Sequence, residues 1–120
     1  MKIYTGKEIV EKYVNIQNDV FADEREFLLV EIHKEELYDC VCWDGSSKNL
    51  KTYEEWEKDD DNYDQYHTNT IDEMVSFIKN GGELPPLIVN KDYGLYDGQH
   101  RLTAYSLIDD IETIKVFKEL

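Results

Sequence analysis

Apolar side chains recur three or four apart at Ile71, Met74, Val75 and Ile78, and within ten residues the pattern changes to the unbroken run Leu87-Ile88-Val89. The first spacing puts four side chains on one helix face, and the second suits a buried strand. Thr70 is placed to cap the helix, with Asp72 and Glu73 in a first turn where the dipole favours negative charge. Asn80-Gly81-Gly82 tolerates the positive φ that stops a helix, and Pro85-Pro86 forces extension. Asn90 to Gly94 reads as a turn and Leu95-Tyr96 as a short second strand. Helical spacing returns at Leu102, Ala104, Tyr105 and Ile108, predicting a helix from about Arg101 to Leu107 that Asp109-Asp110 ends. Ile114, Val116 and Phe117 predict a final strand.

The first half carries weaker signals. Thr5 and Glu8 have the spacing of a capping box, and Ile9, Val10, Tyr13, Val14, Ile16 and Gln17 continue as a stripe. Together they predict a helix over 6–18, closed at Asn18 or Asp19. Phe27 to Ile32 suits a buried strand, 33–38 a turn with a short helix, and Asp39 to Trp43 a strand with Val41 facing away from Cys40 and Cys42. Asp44 to Ser47 is a turn, and Lys51 to Lys58 predicts a helical turn or two around Tyr53 and Trp56. Like-charge repulsion makes Asp59 to Asp64 an exposed loop.

Composition narrows the classes. A chain of 120 residues is one domain, and nine Tyr, four Phe and two Trp within a 41% hydrophobic fraction supply a core, so the 33% charged residues belong to its surface. The net charge of −14 argues against nonspecific nucleic-acid binding and against anionic membranes, since phosphate neutralisation needs Lys and Arg. Two readings of that acidity stay open: solubility, or a negative face that imitates nucleic acid for a basic protein partner. No apolar run reaches the ~18 residues that cross a bilayer, and the amphipathic N-terminus is no leader, which reads as a cytoplasmic protein. Cys40 and Cys42 are too close along a strand for a good disulfide. With His33 they fall short of the four ligands of structural zinc, so they read as core cysteines and no metal set is assigned. The acidic loop lacks the central Gly and the final Glu of an EF-hand. The chain has no internal repeat and no linker-like composition.

The candidate chemistry lies in Asp97-Gly98-Gln99-His100-Arg101, where a strand passes into a helix through a glycine. Such a junction leaves backbone N–H groups pointing out of the helix start, where an anion satisfies them. Arg101 adds a planar cationic fork suited to phosphate, and His100 a group able to donate to phosphate or to move a proton. The competing structural reading packs His100 against a strand and pairs Arg101 with a carboxylate. Tyr63, Tyr66 and His67 suit either stacking on a base or a loop–core boundary.

The runs IDEMVSFIKNGGELPPLIV, YGLYDGQHRLTAYSLI and IKVF, in that order, resemble the N-terminal domain of the ParB family and its relatives in the ParB/sulfiredoxin superfamily. The DGQHR string is also similar to the motif of DGQHR-domain proteins from DNA-modification systems. The resemblance covers residues 68–117, and FLLVEIHKEEL is similar to the first strand and turn of these domains. It implies a single α+β domain over 1–120, with a mixed sheet of about four to five strands and surrounding helices. An N-terminal helix 6–18 and an acidic insertion at about 44–66 would precede the core motif region.

Members of this superfamily include CTP-dependent DNA-partitioning clamps, ATP-using sulfiredoxins and free-serine kinases. By matching position the resemblance makes Gly98, Gln99, His100 and Arg101 a phosphate loop with Thr103 behind it, binding ATP, ADP or CTP with magnesium. The serine kinases place an acidic catalytic residue where Asp64 stands, and Asp97 would hold magnesium or activate an acceptor, making Asp64, Asp97 and His100 the catalytic candidates. The sulfiredoxin cysteine is missing, its place being Gln99 or a neighbour, and the helix-turn-helix that follows the domain in full ParB proteins is not in this sequence. The expectation is a nucleotide- or phosphate-binding domain with a phosphotransferase or NTPase reaction as its candidate chemistry, whether it is an enzyme left open, and no direct DNA binding by the isolated domain. The alternative is a non-enzymatic acidic interaction protein from a phage or mobile element.

Overall fold

The longest pairing in the molecule joins strands 80 residues apart in the chain, and the rest of the sheet grows from it. In the computed structural model, which describes residues 2–13, 16 and 19–120, β2 (Glu26–His33) runs antiparallel to β5 (Thr113–Glu119), from Phe27 opposite Glu119 to His33 opposite Thr113. On the outer side of β2 lies β1 (Ile3–Thr5). On the other side β5 takes β3 (Leu87–Val89) in parallel, and β3 takes β4 (Leu95–Asp97) in antiparallel. The sheet is therefore mixed and five-stranded, in the order β1-β2-β5-β3-β4. Its helices are α1 (Gly6–Lys12), α2 (Glu35–Tyr38), α3 (Tyr53–Asp59), α4 (Tyr66–Lys79) and α5 (Gln99–Ser106).

The unbroken apolar run of β3 exists because both faces of the sheet are covered. Leu87 and Val89 pack with Val116, Ile114, Leu102 and Leu37 on one side. Ile88 packs with Phe117, Phe27, Phe21 and Ile9 on the other. A third cluster, Trp56, Ile71 and Ala104, joins α3, α4 and α5. Lys34 is buried beside the end of α5, where its Nζ donates to the carbonyls of Tyr105 at 2.8 Å and Ile108 at 2.7 Å. A cation there satisfies orphan carbonyls and complements the helix dipole.

Several expected boundaries move. The Thr5–Glu8 capping box forms, but α1 ends at Lys12 because Tyr13 is extended at φ −119° and ψ 119° with its ring 6.0 Å from Phe117. The remainder of the helix expected over 6–18 includes Val14, Gln17 and Asn18, which lie outside the described residues. Thr70 does not cap α4. The helix starts at Tyr66, Thr70 sits inside it donating to the Tyr66 carbonyl at 2.7 Å, and Asp72 and Glu73 fall beyond the first turn. The cap comes instead from Asp60, whose carboxylate accepts from the backbone N–H groups of His67 and Thr68, both at 3.0 Å. Asp39 to Trp43 forms no strand, only a single bridge from Val41 to Lys48. α5 begins two residues before the expected Arg101. Among the described residues no helix is long and apolar enough to cross a membrane.

Candidate functional site

Gly98 sets the geometry of the site. At φ 112° it is left-handed, and an added Cβ would lie 2.9 Å from Leu87 Cγ and 3.1 Å from the Arg101 guanidinium, so a side chain is excluded by conformation and by space. The first N–H groups of a helix have no partner within it, and in α5 the intrahelical bonding begins with Leu102 N–H to the Gly98 carbonyl at 2.9 Å. In front of the turn is a cavity of about 400 Å³, whose walls include Gly98, Gln99, His100, Trp43, Tyr96 and His67. A cavity of that size suits a small ligand.

The most ordered chemistry in this wall is a pair of imidazoles. His67 Nδ1 and His100 Nε2 are 2.8 Å apart with the rings within 16° of parallel. Trp56 covers both: its ring lies 4.3 Å from that of His100 at 15°, and 4.6 Å from that of His67. The indole is fixed in turn, because Trp56 Nε1 donates to Thr103 Oγ1 at 2.9 Å and that hydroxyl donates to the Lys51 carbonyl at 2.6 Å. Burial, with the electrostatics of the neighbouring His67 and Lys51 side chains adding to it, pushes His100 from 6.5 down to about 4. His100 is therefore neutral at pH 7. Asp60, which anchors the backbone of His67, ionises readily: burial opposes its charge, and the hydrogen bonds from Thr68 and His67 outweigh it, lowering its pKa.

The opposite wall is aromatic. Trp43 is 41% exposed and lies 6.1 Å from the Tyr96 ring at 34°. Tyr96 turns its hydroxyl away into a bond with Glu119 and accepts from Arg25 at 3.1 Å, leaving the ring as the part that meets the cavity. Asp44 stands on the rim and stays ionised, its pKa lowered by hydrogen bonds from Ser46.

The expected site residues fall into two groups. Asp97, Gly98, Gln99, His100 and Arg101 all line the cavity, although Gln99 also holds the neighbouring loop through its Nε2, 3.2 Å from the Asn49 carbonyl. Arg101 is only 7% exposed, and its guanidinium donates to Asp97 at 2.7 Å and to the carbonyls of Pro85 and Pro86 at 3.1 Å each. The carboxylate pairing weighed at the outset is thus realised, and Arg101 ties the loop before β3 to the end of β4. Asp97 is in the same pair with a side chain 8% exposed, so the carboxylate marked for magnesium is already neutralised. Among the described residues no three of His, Cys, Asp or Glu gather to hold a metal, and the side chains present do not make a magnesium site. Thr103, expected behind the phosphate loop, is fully buried outside the cavity lining, and its hydroxyl serves Trp56 and Lys51. Asp64 is exposed and absent from the cavity wall, and its carboxylate accepts from the Tyr66 N–H at 2.9 Å.

Sequence reasoning missed Trp43 and Trp56 and left His67 undecided. Their partners are remote, Trp56 with Thr103 across 47 positions and His67 with His100 across 33, so no local spacing announces them.

No protein-family model matches this chain, and no curated protein matches it. Solved structures similar to it include two of pNOB8-like ParB N-domains, the family that the sequence resembles. One, in its C2221 form, has a TM-score of 0.47 and 17% identity over 78% of this chain and 29% of its own. The other has a TM-score of 0.46 and 18% identity over 78% of this chain and 27% of its own. The chain thus spans less than a third of the length of either.

Proposed function

We propose that the cavity binds a nucleotide or a similar phosphorylated small molecule, with phosphate against the N–H groups of Gln99 and His100 and the base against Trp43 and Tyr96. The observation that supports the reading is the left-handed Gly98 at the start of α5, in the lining of a cavity that also includes Trp43 and Tyr96. Helix starts favour anions and aromatic faces favour bases, so one molecule carrying both groups matches both walls. Arg101 contributes by holding the Gly98 turn in place. Magnesium would arrive with the nucleotide, since the protein offers it no prepared ligand set.

Isothermal titration with ATP, ADP, CTP and GTP, each with and without magnesium, tests the site. A saturable heat for at least one nucleotide is expected, and Trp43→Ala should weaken it by roughly 5- to 100-fold, the range of one base–aromatic stack. Heats equal to dilution for all four nucleotides would remove the proposal.

A further inference from the structure

The cavity is unusually poor in usable positive charge for a phosphate site. Arg101 is matched by Asp97, Lys51 contacts Asp59 and Lys48 pairs with Asp39, while Asp44 adds negative charge at the rim. Against this stands the His67–His100 pair, half-buried in the wall and aligned on Trp56. We infer that this pair takes up one proton when an anionic ligand fills the cavity, so that ligand binding and proton binding are coupled at one site. The inference rests on the phosphate-binding reading above and names its regulation.

The geometry limits the pair to a single added charge. With 2.8 Å between the two nitrogens, one proton must lie between them and the other ring must accept it, so both rings cannot be imidazolium in this arrangement. The neutral pair has one accepting nitrogen outside the shared bond, and protonating it gives an imidazolium whose charge is stabilised by the second ring and by the face of Trp56. Other groups acting on the pair come from every neighbouring segment. Lys51 and Arg101 oppose the charge and Asp60 favours it, while the Tyr66 ring presents its edge to both imidazoles. Without an anionic ligand, burial and the two cations win, and His100 stays neutral. An anion about 5 Å away, at an effective dielectric of about 20, raises proton affinity by roughly a hundredfold per unit charge, enough to reverse that balance near pH 6.

The sign follows from linkage. The bound state holds the proton more tightly, so affinity for the anion rises as pH falls, by up to tenfold in Kd per pH unit between the free and bound pKa values.

Titration calorimetry of the whole chain with sulfate and with ATP at pH 6, in buffers of different ionisation enthalpy, measures the proton directly. Sulfate keeps a constant charge in this range, and the titration of ATP itself is subtracted. Expected is uptake approaching one proton per site, lost in His100→Asn, with wild-type imidazole NMR shifts reporting one positive charge per pair only in the complex. Binding with no proton uptake and no pH dependence would overturn the inference and leave the phosphate site standing. No binding of sulfate or ATP at any pH from 5 to 8 would remove both.

Discussion

Residues 84–105 and residues 39–67 both line the cavity and are held by different kinds of interaction. The first stretch is fixed by the sheet, β3 paired with β5 and β4, and by a glycine turn into α5. The second contains no strand beyond one bridge, and apart from one backbone bond, Trp43 N–H to the Leu95 carbonyl at 3.1 Å, its place is set mainly by side chains that bond backbone far away. Asn49, fully buried, donates to the carbonyls of Leu37 at 2.8 Å and Tyr93 at 2.7 Å and accepts from the Leu95 N–H at 2.9 Å. Trp56 and His67 then reach the first stretch through Thr103 and His100. A frame built from repeated backbone bonds is robust to single losses, whereas a frame built from a few side chains concentrates its stability in them.

The sheet-built side has its own exception, and the largest expected effect tests it. Arg101→Ala leaves Asp97 charged and buried and two proline carbonyls unsatisfied, a loss of about 3–5 kcal/mol in urea unfolding. Changing both partners, Arg101→Met with Asp97→Leu, should recover much of that loss, because the pair stabilises less than its breakage costs. Recovery by the double variant would assign Arg101 to structure. A single variant of wild-type stability would refute the clamp.

Asn49→Ala comes next, at about 2–3 kcal/mol, since it removes three buried hydrogen bonds and leaves their partners unpaired. Its effect should spread across the cavity, seen as NMR shift changes at Leu95 and Tyr96 as well as in residues 39–50. Changes confined to that loop would show that the two stretches are independent.

The contrast explains how much could be read in advance. β3, the Gly98 turn and the apolar face of α4 follow from spacings within ten residues, and they were legible as strand, junction and helix. The resemblance extended the same stretch to a mixed sheet with surrounding helices. β1 was not anticipated, because Ile3-Tyr4-Thr5 is too short to show alternation and exists through pairing with β2. The start of α4 was misplaced because its cap is Asp60, upstream of Gln65 and outside the local capping pattern. Arg101 was chemically legible as a cationic fork, yet its partners at Pro85, Pro86 and Asp97 are a matter of packing.

Acid provides a weaker probe of the second stretch. His100 is held near pKa 4 in the fold and takes an ordinary value of about 6.5 when unfolded. The unfolded state therefore binds the proton first, and the stability present above pH 6.5 is lost as pH falls toward 4. Discounted for solvent reaching the ring from the cavity, the loss is about 1–2 kcal/mol. His100→Gln should flatten the stability profile between those values, as measured by urea midpoints at half-unit steps. An unchanged slope would detach the imidazole pair from the stability of this region.

The smallest effects separate two aspartates four positions apart. Asp60 closes the start of α4 by accepting from two backbone N–H groups and from the Thr68 hydroxyl at 2.9 Å, so Asp60→Ala should lower the urea midpoint as loss of an N-cap does. Because one of those bonds holds His67, the same change should loosen the imidazole pair and weaken ligand binding at pH 6. Asp64 accepts a single local bond on an exposed loop, and Asp64→Ala should alter stability by no more than about 0.5 kcal/mol and leave binding unchanged. If Asp64→Ala reduced nucleotide binding while Asp60→Ala did not, the side-chain frame drawn here for residues 39–67 would be wrong, and the loop would have to close over the cavity when ligand binds.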